Sequence, residues 1–174
     1  PLPFPVVVKP PSQRSTIGIH RVRDAADWPS ALEDALRYDD AALVEAYIPG
    51  RELTVGLVAD EALPVIEVVA EQGWYDYRAK YNSQGATQYR VPAPLTEAES
   101  ARCRELALAV YRALGCRGLG RVDFRMPPDG SLFVLEMNTI PGFTETSLLP
   151  KAARSIGIEF PVLCDRILRT AQTD

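Results

Sequence analysis

The stretch Leu132-Phe-Val-Leu-Glu-Met-Asn-Thr-Ile-Pro-Gly-Phe-Thr144 ends an apolar run with a carboxylate and an amide two residues apart. Side chains alternate along a strand, so Glu136 and Asn138 share one face. A partner strand stands just upstream. Gly120-Arg-Val-Asp-Phe-Arg-Met126 leads into Pro127-Pro-Asp-Gly130, and an Asp-Gly pair between two such runs is among the strongest short-range hairpin signals. With Pro128 facing Ser131 across a two-residue Asp129-Gly130 turn, counting outward puts Asp123 opposite Glu136 and Arg121 opposite Asn138, all four on one face. Opposed acids repel unless something cationic lies between them. Oxygen donors without His or Cys suit a hard ion such as Mg²⁺, which takes one or two carboxylates plus water and substrate phosphate. Asp123, Glu136 and Asn138 are therefore the candidate metal ligands.

Composition narrows the class without choosing a chemistry. The 174 residues are 47% hydrophobic and 24% charged, which suits one ordinary core or two small lobes. A net charge of -4, with 19 Lys and Arg spread along the chain, argues against a general nucleic-acid binder. The sequence has no long apolar run and no signal peptide, so a cytoplasmic protein with no membrane role is expected. The three cysteines, Cys103, Cys116 and Cys164, include no Cys-x-x-Cys pair and read as reduced thiols.

Periodicity and turn residues give the element order. Val6-Val-Val-Lys9 is a short strand stopped by Pro10-Pro11, residues 12–18 form a polar loop, and residues 19–22 resume a strand. Residues 27–37 read as a helix with Pro29 in its first turn and Leu32 and Leu36 one turn apart. Residues 42–48 form a strand. Residues 52–58 and 62–69 make a second hairpin across a short acidic turn. The polar, aromatic stretch 74–88 is a long loop, and loops of that length are usually functional or disordered. Thr96 and Glu99 form a capping box opening a helix that presents Cys103, Leu106, Ala107, Val110 and Leu114 and stops at Gly115. A last helix spans roughly residues 161–170, with Leu163 and Ile167 inward.

Five strings in order carry a resemblance: Val-Val-Val-Lys-Pro, Leu-Val-Glu-Ala-Tyr-Ile, Tyr-Asp-Tyr-Arg-Ala-Lys-Tyr, Gly-x-Gly-Arg-Val-Asp and Glu-x-Asn-Thr-x-Pro-Gly-Phe-Thr. Together they resemble the D-alanine:D-alanine ligases of the ATP-grasp superfamily. The resemblance implies an α+β fold of mostly antiparallel sheets flanked by helices, with residues 1–47 as part of the central ATP-grasp lobe and residues 48–174 as the C-terminal lobe. It also implies a longer protein, since the chain opens on Pro1 and reaches a phosphate-binding Lys already at position 9. The activity implied is ATP-dependent ligation of two D-alanines through an acyl phosphate, for peptidoglycan synthesis. The alternatives are a related D-lactate, D-serine or other carboxylate-amine ligase, or a nucleotide-binding module without activity.

The same resemblance assigns roles. Lys9 holds nucleotide phosphate, Glu45 and the segment Tyr47-Ile48 meet the adenine, Glu52 takes the ribose hydroxyls, and Leu135 completes the nucleotide contacts. Loop 74–88 is the lid, with Lys80 near the transferred phosphoryl group and Tyr81 toward the amino-acid substrates; closing such a lid excludes water from the acyl phosphate. Arg121 and the Gly142 N–H stabilise the oxyanion, Ser147 and Leu148 receive the second substrate's carboxylate, and Ser15 belongs to the small-residue loop of the site. Arg121 also has a plainer reading, a structural salt bridge to Asp123 or Glu136. The implied cofactors are ATP with one or two Mg²⁺ ions, Mn²⁺ serving as substitute, and the implied assembly is a homodimer of the full-length protein. Two positions depart from the family: Arg14 stands where Gly is common, and Ala46 where some members have Lys.

Overall fold

In the computed structural model, described for residues 2–13, 16–70 and 87–171, the chain forms two compact units. One comprises Pro1–Ile48 with Ala70–Thr87, the other Pro49–Val69 with Gln88–Asp174. Among the described residues no helix is long and apolar enough to cross a membrane.

The first unit is a three-stranded antiparallel sheet, with β1 (Val6–Lys9) between β2 (His20–Val22) and β3 (Leu43–Ala46), backed by α1 (Trp28–Ala35). Alternation along β1 buries Val6 and Val8 against α1 and turns Val7 and Lys9 to the opposite face. The helix packs through Ala31 and Ala35, whereas Leu36 is exposed. The Leu32/Leu36 spacing therefore misplaces the inward stripe by one residue. Alanines, lacking long side chains, let the helix come close to the β-branched valines of the sheet. His20 lies on the α1 side, 2.7 Å from Asp34 Oδ2 through Nε2, in a local structural contact.

The second unit is a six-stranded sheet in the order β7-β6-β4-β8-β9, with short β5 (Glu61–Ala62) paired to β4. The strands are β4 (Arg51–Val58), β6 (Ile66–Ala70), β7 (Thr87–Arg90), β8 (Leu119–Met126) and β9 (Phe133–Asn138). One face packs Leu53, Val55, Val122 and Phe124 on α2 (Glu97–Ala113) through Cys103, Ala107 and Tyr111. That helix opens on the expected capping box, Glu99 N–H donating to Thr96 Oγ1 and Thr96 N–H to Glu99 Oε2. It closes in a Schellman pattern, Cys116 N–H donating to the Tyr111 carbonyl and Gly115 N–H to that of Arg112, with Gly115 at φ +63. Leu114, expected inward, is exposed because the helix has already ended there. Part of the opposite face, at Val58 and Ile66, is covered by α3 (Leu148–Arg154) and α4 (Phe160–Leu168) through Leu149, Ala152, Ala153 and Leu163.

Candidate active site

Beyond the part packed on α3 and α4, that second face carries the polar residues. β8 pairs with β4 so that Arg125 meets Glu52, Asp123 meets Thr54 and Arg121 meets Gly56. On its other edge Asp123 faces Glu136 and Arg121 faces Asn138. The pairing anticipated for these four residues holds, though the turn that was to set it does not. Gly130 N–H donates to the Pro127 carbonyl at 3.0 Å, so the turn spans residues 127–130 with Pro128 and Asp129 in its middle and Gly130 left-handed at φ +76. Nearer the turn the register differs by one, Phe124 facing Val134 and Arg125 facing Phe133. An irregularity between Asp123 and Phe124 leaves Leu135 as the extra residue of β9 and restores the register beyond it.

Arg121 grips Asp123 in a fork, Nε to Oδ1 at 2.8 Å and Nη2 to Oδ2 at 2.7 Å. The Thr54 hydroxyl donates to Asp123 Oδ1 at 2.6 Å. Thus the plain reading of Arg121, a salt bridge to Asp123, holds, and it stands beside the catalytic expectation without competing with it. A carboxylate offers roughly four lone-pair sites, so an Asp123 fixed by these three donors keeps room for a cation. Glu136 is exposed on the edge strand, and the Asn138 side-chain oxygen accepts the Ile140 N–H at 3.2 Å, which turns that oxygen toward the following loop. Two carboxylates and one amide oxygen are a donor set fit for Mg²⁺. Among the described residues no three His, Cys, Asp or Glu gather in one cluster, so the proposed set draws its third donor from the Asn138 amide.

The loop after β9 leads into α3. Ser147 Oγ accepts the Thr144 N–H at 3.0 Å and lies 2.9 Å from the Thr144 hydroxyl, pinning the segment that holds Gly142, Ser147 and Leu148. A Cβ on Gly142 would come to 3.3 Å of Ser147 Oγ, so the loop is drawn tight at its glycine.

In the first unit, the sheet face away from α1 brings Lys9 Nζ to 2.6 Å of Glu45 Oε2, two of the expected nucleotide residues. Beside them Arg21 donates to the Tyr47 hydroxyl at 3.2 Å and stacks over its ring, while the Tyr47 N–H is given to the Pro5 carbonyl at 3.2 Å. Ser15, Lys80, Tyr81, the position of Arg14 and the lid span up to residue 86 lie outside the described residues.

Two residues of the polar face were not singled out from the sequence: Thr54 and Arg125, both buried. Arg125 was within reach, being two residues beyond Asp123 on the same strand. Thr54 required the β4–β8 register, which no turn connects in sequence.

The family model described as "D-ala D-ala ligase C-terminus" matches residues 1–169. The chain belongs to the D-alanine–D-alanine ligase family. It is 49% identical over 168 residues to the D-alanine–D-alanine ligase of Syntrophotalea carbinolica, covering 97% of this chain and 54% of that protein. It is 46% identical over 169 residues to that of Anaeromyxobacter sp., covering 96% and 54%. Among solved structures, the Bacillus anthracis D-alanine–D-alanine ligase complexed with ATP superposes with a TM-score of 0.81 at 34% identity, covering 96% of this chain and 52% of that one. The VanG D-Ala:D-Ser ligase of Enterococcus faecalis superposes with a TM-score of 0.86 at 32% identity, covering 97% and 50%. These likenesses give the ATP-grasp α+β fold. The chain spans about half the length of the curated relatives it matches.

Proposed function

We propose that the chain carries out the ATP-binding and acyl-transfer part of a D-alanine–D-alanine ligase, supplying D-alanyl-D-alanine for peptidoglycan in the cytoplasm. The observation that carries this reading is the opposition of Asp123 to Glu136 and of Arg121 to Asn138 on one sheet face, in a chain matched by the family over residues 1–169. The carboxylate of one D-alanine takes the γ-phosphoryl group of ATP, giving an acyl phosphate and ADP. The amine of a second D-alanine attacks that carbonyl, and phosphate leaves as the amine loses its proton.

Residues of each unit have parts in this scheme. Lys9, Glu45, Tyr47 and Ile48 of the first unit serve phosphate and base; Lys80 and Tyr81 of the lid serve the transferred phosphoryl group and the amino-acid site, with Ser15 in the small-residue loop. In the second unit Glu52 takes the ribose and Leu135 the nucleotide's apolar edge. Asp123, Glu136 and Asn138 would hold Mg²⁺, which when bound neutralises charge on the β- and γ-phosphates. Arg121, locked in place by its fork on Asp123, puts a positive charge near the developing oxyanion at no cost of reorganisation, and the Gly142 N–H joins it. Ser147 and Leu148 meet the second substrate's carboxylate. The full-length protein is proposed to act as a homodimer.

A second reading, ligation of D-serine to D-alanine, is favoured by the likeness to VanG, with a TM-score of 0.86. Product analysis with ATP, Mg²⁺ and D-alanine against D-serine and D-lactate separates the two. The test is run on this chain alone and on a chain that restores the other half of its relatives' length. Dipeptide of D-alanine only from the longer chain is expected. Preferred incorporation of D-serine would replace the first reading with the second, and no ligation of any of the three by the longer chain would sink both.

A further inference from the structure

Three polar side chains are buried among the described residues: Thr54, Glu67 and Arg125. Two have evident tasks. Thr54 donates to Asp123, and Glu67, on the α2 side of the sheet, is matched by Arg51 and Arg90. Arg125 is different. It lies in β8 between the core residues Phe124 and Met126, with its side chain 8% exposed, and its Nη2 stands 3.0 Å from Glu52 Oε2. Its Nη1 donates to the Gly50 carbonyl at 3.1 Å. The backbone at Gly50 is shaped for that bond. Its φ is +117, and a Cβ there would run into the Met126 carbonyl.

A buried ion pair seldom stabilises a fold more than an apolar pair of equal volume would. A buried guanidinium on the polar face therefore points to what it orients. Glu52 carries a flexible side chain, and a carboxylate that must accept from paired hydroxyls at fixed positions binds better if its rotamer is already chosen. Arg125 supplies that choice from behind. Its planar fork is anchored at one end on the Gly50 carbonyl and reaches Oε2 of Glu52 at the other, which holds that oxygen in place.

We infer that Arg125 is a positioning residue for nucleotide selection: by fixing Glu52 it makes the site discriminate ribose from deoxyribose. This rests on the reading that the protein binds Mg²⁺-ATP with Glu52 at the sugar. A hydrogen bond to a charged acceptor is worth about tenfold or more in affinity, so ATP is bound about tenfold more tightly than its 2′-deoxy or 3′-deoxy counterpart.

The test is a calorimetric or NMR titration of the protein with Mg²⁺-ATP, Mg²⁺-2′-deoxy-ATP and Mg²⁺-3′-deoxy-ATP, in wild type, Arg125→Met, Arg125→Lys and Glu52→Gln. Arg125→Met is expected to weaken ATP about tenfold while leaving the deoxynucleotides within about twofold, so that the preference collapses. Arg125→Lys, which keeps the charge and loses the fork, should fall between. Glu52→Gln should show the same collapse, which checks the sugar contact, and Arg125→Lys supplies the answer on Arg125 if Arg125→Met does not fold, an unchanged preference in it overturning the inference. Equal weakening of all three nucleotides by Arg125→Met, or an unchanged preference in Glu52→Gln, overturns the inference. Wild-type protein that binds ATP with no preference over either deoxynucleotide also overturns it and leaves the nucleotide reading standing. Wild-type protein that binds none of the three removes that reading and the inference with it.

Discussion

Along β8 alternate residues meet opposite surroundings. Val122 and Phe124 are wholly excluded from water against α2, while on the other face Arg121 is forked on Asp123 and Arg125 is paired with Glu52. The apolar face gains its free energy from area and close packing, which are indifferent to direction. The polar face recovers the cost of desolvating its charges only where each donor finds an acceptor at the right angle. One face therefore sets how stable the second unit is, and the other sets what it can hold. Substitutions on the two faces should separate cleanly in what they change.

The largest loss belongs to the apolar face. Phe124→Ala removes a fully buried ring from between Leu53 and α2 and is expected to cost about 3–5 kcal/mol of unfolding free energy. Urea denaturation measures this, and a loss below about 1 kcal/mol would mean that the α2 face is not the packed core described. Gly50→Ala comes next, at the start of β4 where the two faces share a backbone. Alanine at φ +117 against the Met126 carbonyl should cost about 2 kcal/mol, and it should also displace the main-chain carbonyl that accepts from Arg125. If thermal unfolding finds this variant as stable as wild type, the glycine's conformation has been misread.

How far these features were readable in the chain depends on how local their causes are. The capping box at Thr96 and the stop at Gly115 lie within one helix and were legible from spacing alone. The facing of Asp123 and Glu136 was legible as well, but by cancellation. The turn sits one residue earlier than Asp129-Gly130, and the extra residue Leu135 absorbs the difference. No composition rule marks Leu135 as a bulge. α3 was missed because it is short and carries Pro150 in its first turn, a position that a periodicity reading takes for a loop. Arg125 shares a strand and a face with Asp123, but its partner Glu52, like the position of Thr54, follows from the β4–β8 pairing between strands distant in sequence.

On the polar face the expected effects pass from stability to binding. Glu136 is exposed, so Glu136→Gln should leave the unfolding free energy within about 0.5 kcal/mol of wild type. It removes one negative charge from the proposed cation site, and Mg²⁺-dependent ATP affinity should fall about tenfold, or ~1.4 kcal/mol. Asn138→Ala deletes a neutral ligand and should lose less, about threefold. Calorimetric titration of Mg²⁺ at fixed ATP distinguishes the pair. Unchanged affinity in Glu136→Gln would take that residue out of the ligand set, and a larger loss in Asn138→Ala than in Glu136→Gln would mean that charge is not what the site supplies.

The smallest effect is on the apolar face again, where charge should be refused. Burial against the sheet pushes the Cys103 thiol from 9.0 up to about 11, with nearby Glu99 adding to the rise. At pH 8 only on the order of one Cys103 in a thousand would then be thiolate, the form that reacts. A thiolate-selective reagent at that pH should label the partly exposed Cys116 and Cys164 well before Cys103. The linkage has a definite sign. The folded pKa lies above the unfolded value, so the folded state keeps a proton that the unfolded chain has begun to release. This stabilising contribution is present in full below pH 9 and is lost as the pH rises toward 11. The advantage of wild type over Cys103→Ala in denaturant midpoint should accordingly shrink between pH 8 and pH 10. A constant difference across that range, or labelling of Cys103 as fast as its two neighbours, would show that water reaches this face of the sheet and that the contrast between the two sides of β8 is weaker than drawn.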